Sequence, residues 1–186
     1  TLNARPSCSK STTNGVPQER SSTPSFGVLG TYPPTVCGLA TFSAALTGGL
    51  SANGADVSVV RVSDGSPSTD ARVVGELVNG SATSISASSE LLNQNQIAVI
   101  QHEYGIYGGG DGDEVVEVIR GLRVPCIVVA HTVPKHPSPH QRSVLEEIAS
   151  LADHVVVMSQ AANDRLCTGY DVDRQNVATI PHGATI

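Results

Sequence analysis

Basic side chains are scarce in this sequence. Its 186 residues contain 11 Lys and Arg against 17 Asp and Glu, a formal net charge of −6, and no cluster of Lys or Arg occurs. Binding to a nucleic-acid backbone or an anionic membrane depends on such clusters, because the phosphate charges must be neutralised. We therefore expect neither nucleic acid nor an anionic membrane surface as a partner.

Long apolar runs are also missing. No stretch approaches the roughly 18 apolar residues of a membrane span, and the N-terminus lacks the basic-then-apolar pattern of a secretory signal. The four cysteines, Cys8, Cys37, Cys126 and Cys167, lie far apart, and Cys126 falls in an apolar run where a free thiol acts as a small hydrophobe. The sequence therefore predicts a protein that has no transmembrane segment and that resides in the reducing cytoplasm.

Three familiar enzyme signatures are absent. The glycines after the first apolar run do not form the Gly-x-Gly-x-x-Gly of a dinucleotide site, although Asp64 stands where a nicotinamide dehydrogenase would hold a ribose. The Gly-x-Ser-x-Gly elbow of a serine hydrolase does not occur. Prolines and a helix start separate His131, His136 and His140, which points their imidazoles apart. We expect no metal site and no cofactor.

Short apolar runs alternate with helical periodicity over most of the chain. Residues 1–25 are rich in Ser, Thr, Pro, Asn and Gln, and we expect a disordered tail because they bury too little surface to offset their ordering entropy. Residues 26–186 have the length of one domain. Their apolar runs are continuous, as in parallel strands covered by helices on both faces. Strands are predicted at 26–30, 57–62, 97–101, 126–130, 155–158 and 177–180, with a further one within 71–78.

Helical signals lie between several of these strands. The segment 138–141 combines an N-cap Ser, a Pro at the first helical position and a Gln that closes a capping box. Asp111 and Glu114 have similar spacing, which favours a role at a helix start over catalysis. Apolar stripes at helical spacing occur over 42–50, 115–122 and 144–151. The pattern predicts an α/β, Rossmann-like three-layer domain with a mainly parallel sheet.

Ligands of such sheets bind beyond the carboxyl ends of the strands, so the loops that follow strands hold the candidate site residues. The loop 30–38 ends at Gly38, where the absence of a side chain and the start of a helix suit a phosphate. An ordinary proline-stiffened connection is the alternative for this loop. The loop 131–138 begins with His131, which is placed to contact a sugar or developing charge, and contains Lys135, a partner for phosphate. A structural histidine is the alternative here.

The loop 101–111 has the composition of a sugar-binding loop. His102, Glu103 and Tyr104 supply hydrogen-bond donors, an acceptor and a flat apolar face, and three glycines at 108–110 form a mobile rim. In the alternative interpretation, His102 and Glu103 close hydrogen bonds at the strand end and the glycines only turn the chain.

Several motifs in this order resemble the N-terminal domain of family 4 glycosyltransferases, which are retaining enzymes with the two-domain GT-B fold. The resemblance extends from Phe26 to the C-terminus. It rests on Thr-Tyr-Pro-Pro-Thr-Val-Cys-Gly-Leu-Ala-Thr-Phe-Ser at 31–43, Gln-His-Glu-Tyr-Gly-Ile-Tyr-Gly-Gly at 101–109, Val-Ala-His-Thr-Val at 129–133, Ser-Pro-His-Gln-Arg at 138–142, Val-Val-Val-Met-Ser at 155–159 and Ile-Pro-His-Gly at 180–183. His182 departs from this pattern, since relatives often carry Asn there.

The resemblance also implies roles for individual residues. His131, the histidine that ends the strand before the proline-rich loop, would contact the transferred sugar and is the expected catalytic residue. The loop after the first strand would lie beside the donor diphosphate and the acceptor through Gly38, Leu39 and Thr41. The segment that borders the acceptor pocket would contribute His102, Glu103, Tyr104 and Gly105.

The implied reaction transfers a hexose from a nucleoside diphosphate sugar to a hydroxyl of a sugar or polyol-like acceptor, with retention and without a metal. Residues 26–186 would be the acceptor-side half, inactive alone, because the Glu-x7-Glu motif and the Arg/Lys pair of the donor-binding half do not occur. Two alternatives remain open. One is a non-catalytic module that binds a sugar or another acceptor and acts with a partner; the other is a related GT-B enzyme such as an epimerase or phosphorylase.

Overall fold

A single twisted sheet organises the chain, and the computed structural model describes residues 23–183. Seven strands in this part of the chain all run parallel, in the order β3-β2-β1-β4-β5-β6-β7. The expected tail at 1–25 lies almost wholly outside the described residues. The strands are β1 (Ser25–Gly30), β2 (Asp56–Val62), β3 (Val73–Leu77), β4 (Ile97–His102), β5 (Cys126–Ala130), β6 (His154–Val157) and β7 (Val177–Thr179).

Helices cover both faces of this sheet. They are α1 (Gly38–Ala52), α2 (Ala82–Leu92), α3 (Glu114–Arg120), α4 (Pro139–Leu151) and α5 (Gln160–Gly169). Adjacent strand residues such as Val28 and Leu29 belong to different apolar clusters, one beneath α1 and a larger one beneath α2, α3 and α4. Because side chains alternate along a strand, each central strand is buried on both faces and has a continuous apolar sequence. The predicted three-layer, Rossmann-like fold is confirmed, and every predicted strand occurs.

Two helices were not predicted, because both lack an apolar stripe. α2 is rich in serine, and its start is fixed by Ser81, whose side chain accepts from the amide of Ser84. Ser89 is buried in this helix and donates to the carbonyl of Val118 at 3.0 Å. α5 buries only Leu166 among its described side chains and is capped by Ser159. Caps and buried serine hydroxyls hold helices that hydrophobic periodicity does not reveal.

The two predicted capping boxes had different outcomes. Ser138 and Gln141 form both hydrogen bonds of a capping box at the start of α4, as predicted. Glu114 lies at a helix start, in the first turn of α3, but Asp111 and Glu114 form no capping box, since the N-cap position is Asp113 and makes no side-chain hydrogen bond. The Glu114 carboxylate accepts from the amide of Gly80, in the chain after β3, at 2.8 Å.

Candidate active site

The residues of interest converge at the carboxyl ends of the central strands. β4 and β5 are paired along their length, and the amide of His131 continues that ladder by donating to the carbonyl of His102 at 3.0 Å. The start of α1 follows β1 at the same edge. Side chains in register on paired strands share a face, so Gln101 and His131 project towards α1, whereas His102 projects to the opposite face.

His131 is half-buried and held on two sides. Its Nε2 lies 2.7 Å from Oε1 of Gln101, and its ring meets Phe42 of α1 edge-on at 4.9 Å between centroids. Burial lowers the pKa of His131, Glu103 opposes this effect, and His182 reinforces it. A histidine whose pKa lies below its ordinary value is neutral at pH 7, so its ring offers one donor and one acceptor.

An open groove of about 810 Å³ lies between α1 and the sheet. Gly38, Thr41 and Phe42 line it from the helix side, and His182 lies opposite with its ring 5.2 Å from that of Phe42. A side chain added at Gly38 would meet nothing within 4 Å, so the backbone there is open to a ligand. The start of α1 and the segment after β7 thus both line the groove and meet at the rings of Phe42 and His182.

The loop between β1 and α1 is anchored by Arg61, which sequence reasoning did not identify. Arg61 is fully buried at the end of β2, and all five of its N–H groups donate. The acceptors are the carbonyls of Tyr32 and Ser66, the hydroxyl of Thr35, and the carboxylates of Asp64 and Glu76. This guanidinium fixes the position from which α1 and Gly38 begin.

Asp64 is occupied by the same network. Its carboxylate accepts from the Thr35 hydroxyl at 2.7 Å, from the Ser66 amide at 2.9 Å and from Arg61. These donors hold the pKa of Asp64 well below its usual range. These hydrogen bonds give the Asp64 carboxylate a structural role. It is therefore not free to bind a ribose, as the corresponding residue of a nicotinamide dehydrogenase would.

The loop after β4 sends its side chains in two directions. Glu103 accepts from the Thr132 hydroxyl and the Tyr104 amide, which places its charge near His131. His102 is fully buried, neither ring nitrogen has a hydrogen-bond partner among the described residues, and burial lowers its pKa to about 4. Tyr104 packs edge-on against His102 at 4.9 Å and donates from its hydroxyl to the carbonyl of Gln141 at 3.1 Å.

The glycines of this loop have a packing reason. A Cβ at Gly108 would lie 2.3 Å from the Glu114 carboxylate, and one at Gly109, which has a φ of 78°, would meet Asp113 at 1.9 Å. A side chain at either position would displace the carboxylate of Glu114 or Asp113, and the φ of Gly109 lies in the left-handed region that favours glycine. The glycines of this loop therefore pack against side chains at the start of α3.

The structure brings some of the predicted site residues together and separates others. Gly38 and Thr41 line the groove, His131 contacts Phe42 of the same lining, and Glu103 lies near His131, while Leu39 is half-buried in the first turn of α1. Gly105 and Lys135 are exposed on the two loops, while His102 and Tyr104 are directed into the core. Sequence reasoning missed Gln101, Phe42 and His182 as neighbours of His131; strand parity was the signal available for Gln101.

Solved structures of similar fold are glucosyltransferases. One is an α-glucosyltransferase in complex with UDP and a 13-mer DNA containing a HMU base, with a TM-score of 0.60 and 16% identity over 86% of this chain and 42% of that one. Another is in complex with UDP-glucose and DNA containing an abasic site, with a TM-score of 0.54 and 16% identity over 74% of this chain and 36% of that one. The present chain spans less than half the length of these structures, and no curated protein sequence matches it.

These structures correct the prediction that nucleic acid is excluded as a partner. Glucosyltransferases of this fold hold UDP or UDP-glucose together with DNA. A net charge sums over every face of a domain, whereas contact with DNA uses one face, so the charge of −6 did not support the exclusion. As for membranes, none of the helices in residues 23–183 is long and apolar enough to cross one.

The profile of Glycosyltransferase Family 4 matches residues 36–186, which includes α1, the loops after β4 and β5, and every residue placed around His131 above. The chain belongs to glycosyltransferase family 4.

Proposed function

We propose that this chain is the acceptor-side half of a retaining glycosyltransferase, which transfers a hexose from a nucleoside diphosphate sugar to an acceptor hydroxyl. The observation that carries the proposal is the convergence of His131, Glu103 and the open start of α1 at one sheet edge, within the region that matches family 4. The glucosyltransferases of the same fold, which hold UDP or UDP-glucose, support this donor class.

Each group has a chemical task in this reaction. Retaining transfer has to stabilise an oxocarbenium-like sugar and a departing diphosphate, mainly by preorganised donors and dipoles. Gly38 and Leu39 lie in the first turn of α1, where amide groups have no acceptor within the helix and favour an anion. His131 holds the sugar from the other side of the opening. Lys135 supplies a cation on the outer loop.

The acceptor binds, in this proposal, against the loop after β4. Glu103 offers a carboxylate oxygen to an acceptor hydroxyl, and Gly105 leaves the adjacent backbone open, since a Cβ there would meet nothing within 4 Å. His102 and Tyr104 shape this loop from beneath by packing in the core. We propose a cytoplasmic setting, supported by the free thiols of Cys37, Cys126 and Cys167.

The test uses the complete polypeptide. It is incubated with UDP-glucose or other nucleoside diphosphate sugars and a panel of sugars, polyols and duplex DNA. Release of nucleoside diphosphate is followed together with glycoside formation, and the anomeric configuration is read by NMR. We expect a glycoside with the donor's configuration. An inverted product would contradict retention, and diphosphate release without glycoside would favour an epimerase.

Substitution of the central histidine tests the site. His131→Ala is expected to lower kcat by about 100-fold or more, the order of loss seen when a preorganised transition-state donor is removed. The matched control is His140→Ala, an exposed histidine on α4 that pairs with Asp111 at 3.0 Å outside the opening, and its kcat should stay near wild type. A turnover near wild type in His131→Ala would remove this residue from the mechanism.

Acceptor binding by residues 1–186 without any turnover in the complete polypeptide would favour the non-catalytic module.

A further inference from the structure

Gln101 is a polar residue in the buried part of the central strand β4. It is the last but one residue of β4, between Ile100 and His102, and is fully buried. Burying an amide costs free energy unless its groups are hydrogen-bonded. A buried glutamine therefore needs a specific partner to offset that cost.

The partner is His131. Oε1 of Gln101 lies 2.7 Å from Nε2 of His131, and this is the amide's one polar contact, since Nε2 of Gln101 is buried without a partner among the described residues. An amide with a single contact is oriented by that contact. Among the described residues, the side-chain amide of Gln101 therefore contacts the His131 ring and no other polar group.

Two neighbours hold Gln101 in place. Its Cβ and Cγ lie 2.8 and 2.9 Å from the position that a Cβ at residue 30 would occupy, so the glycine at Gly30 makes the room for this side chain. The hydroxyl of Tyr107 donates to the carbonyl of Gln101 at 2.7 Å and secures its backbone. The side chain is thus confined between β1 and β5, with its amide directed at His131.

We infer that Gln101 is a positioning residue: its amide oxygen accepts the Nε2 proton of His131, fixing the ring as one tautomer with Nδ1 left as the acceptor for a hydroxyl of the bound sugar. An amide oxygen accepts only, so the ring nitrogen that faces it carries the hydrogen. The opposite nitrogen of a neutral ring then accepts. This inference rests on the proposed function for the role of the sugar, but the tautomer itself does not.

The charged and titratable groups around His131 come from three segments. Glu103 follows β4, His102 lies in β4 on the opposite face, and His182 follows β7. Glu103 favours a protonated ring, while burial and His182 disfavour it. The amide of Gln101 is neutral and adds no charge to this balance, which makes it suited to orient the ring without protonating it.

The experiment is a ring-nitrogen NMR titration of the 186-residue protein labelled with ¹⁵N-histidine, in which His131→Gln identifies the His131 signals. We expect His131 to show Nε2 protonated and Nδ1 unprotonated at neutral pH. Gln101→Leu removes the acceptor and should give a mixture of tautomers. Gln101→Glu keeps the shape but adds a negative charge, and should raise the pKa of His131 by about one unit or more.

Gln160→Leu is the matched control, because Gln160 is an exposed glutamine of α5 that bonds only to Asp164 on its own helix in the described structure, and it should leave the His131 signals unmoved. An Nδ1-protonated ring or an even tautomer mixture in the unaltered protein would overturn the inference, and this measurement needs no variant to fold. A His131 titration that Gln101→Glu does not shift would overturn it as well.

In the complete polypeptide, Gln101→Leu is expected to lower kcat about tenfold with a smaller change in KM for the donor. If the tautomer is as described but His131→Ala keeps full turnover, the proposed role of His131 fails while the assignment of Gln101 to its ring stands.

Discussion

Removal of the Arg61 guanidinium should destabilise the domain more than removal of any exposed arginine. Arg61→Ala leaves two carboxylates, two carbonyls and a hydroxyl without their donor. Breaking a buried ion pair by removing one partner costs about 3–5 kcal/mol. We expect a loss near 3 kcal/mol, at the lower end, because Asp64 and Glu76 keep 35% of their side-chain surface exposed and are partly rehydrated.

The assay is urea and thermal unfolding of the 186-residue protein. For a domain of this size, 3 kcal/mol corresponds to a Tm about 6–12 °C lower. The Tm of Arg61→Lys should lie between those of the wild type and Arg61→Ala, because an ammonium keeps the charge but not the planar fork. Arg123→Ala is the matched control: its ion pair with Glu90 is bidentate, but the side chains are 65% and 58% exposed, so its loss should lower the free energy of unfolding far less than the loss of Arg61.

Hydrogen exchange gives a second measurement on the same variant. Amides in the loop between β1 and α1 should exchange faster in Arg61→Ala than in the Arg123→Ala control, since the guanidinium holds this loop through Tyr32 and Thr35. An Arg61→Ala protein whose unfolding free energy lies within about 1 kcal/mol of wild type would refute the argument that a buried, fully paired guanidinium is needed here.

Three further predictions follow from the same structure. Gly38→Val should raise KM in the complete polypeptide with unfolding unchanged, because the added methyls enter open space where the ligand approaches; unchanged kinetics would show that the loop is only a connection. His102 has a pKa of about 4 in the folded protein, below its ordinary 6.5, so its neutral ring contributes its whole stabilisation above pH 6.5, and the free energy of unfolding should fall as the pH drops towards 4. The urea midpoint should vary less with pH in His102→Phe across this range. The same pH dependence in both proteins would contradict the assignment. Gly112→Ala combines a φ of 75° with a Cβ 2.6 Å from the Tyr104 carbonyl, whereas Gly54→Ala has a similar φ in open space. The free energy of unfolding should therefore fall more in Gly112→Ala than the roughly 1–2 kcal/mol that a left-handed backbone alone costs. Equal losses in Gly112→Ala and Gly54→Ala would exclude a contribution from the contact with Tyr104.

The sheet was predictable because its strands carry their own signal. Runs such as 126–130 are apolar at every position, and burial on both faces leaves no other pattern for a central parallel strand. Helix α2 was not predictable by the same means, since Ser88 and Ser89 occupy its buried face. A buried serine can donate its hydroxyl to a backbone carbonyl, so a polar residue can occupy the buried face of a helix. The contrast between apolar and polar positions, on which hydrophobic periodicity depends, is then lost.

The site was only half predictable, for reasons of geometry. His131 follows a strand, and position alone brings it to the ligand edge. His102 also ends a strand, yet it occupies the opposite face from Gln101, so of these two adjacent buried polar residues only Gln101 contacts the His131 ring. The partners of Arg61 come from the first, second and third strands and their loops, and a sequence does not show that separate segments meet at one guanidinium.

The ring of Phe42 lies between two imidazoles, that of His131 at 4.9 Å and that of His182 at 5.2 Å. His182 belongs to the segment that leaves β7, and it lines the groove together with Phe42. The outgoing chain therefore reaches the surroundings of His131 through one aromatic side chain, and a substitution at Phe42 would alter the packing of both imidazoles at once.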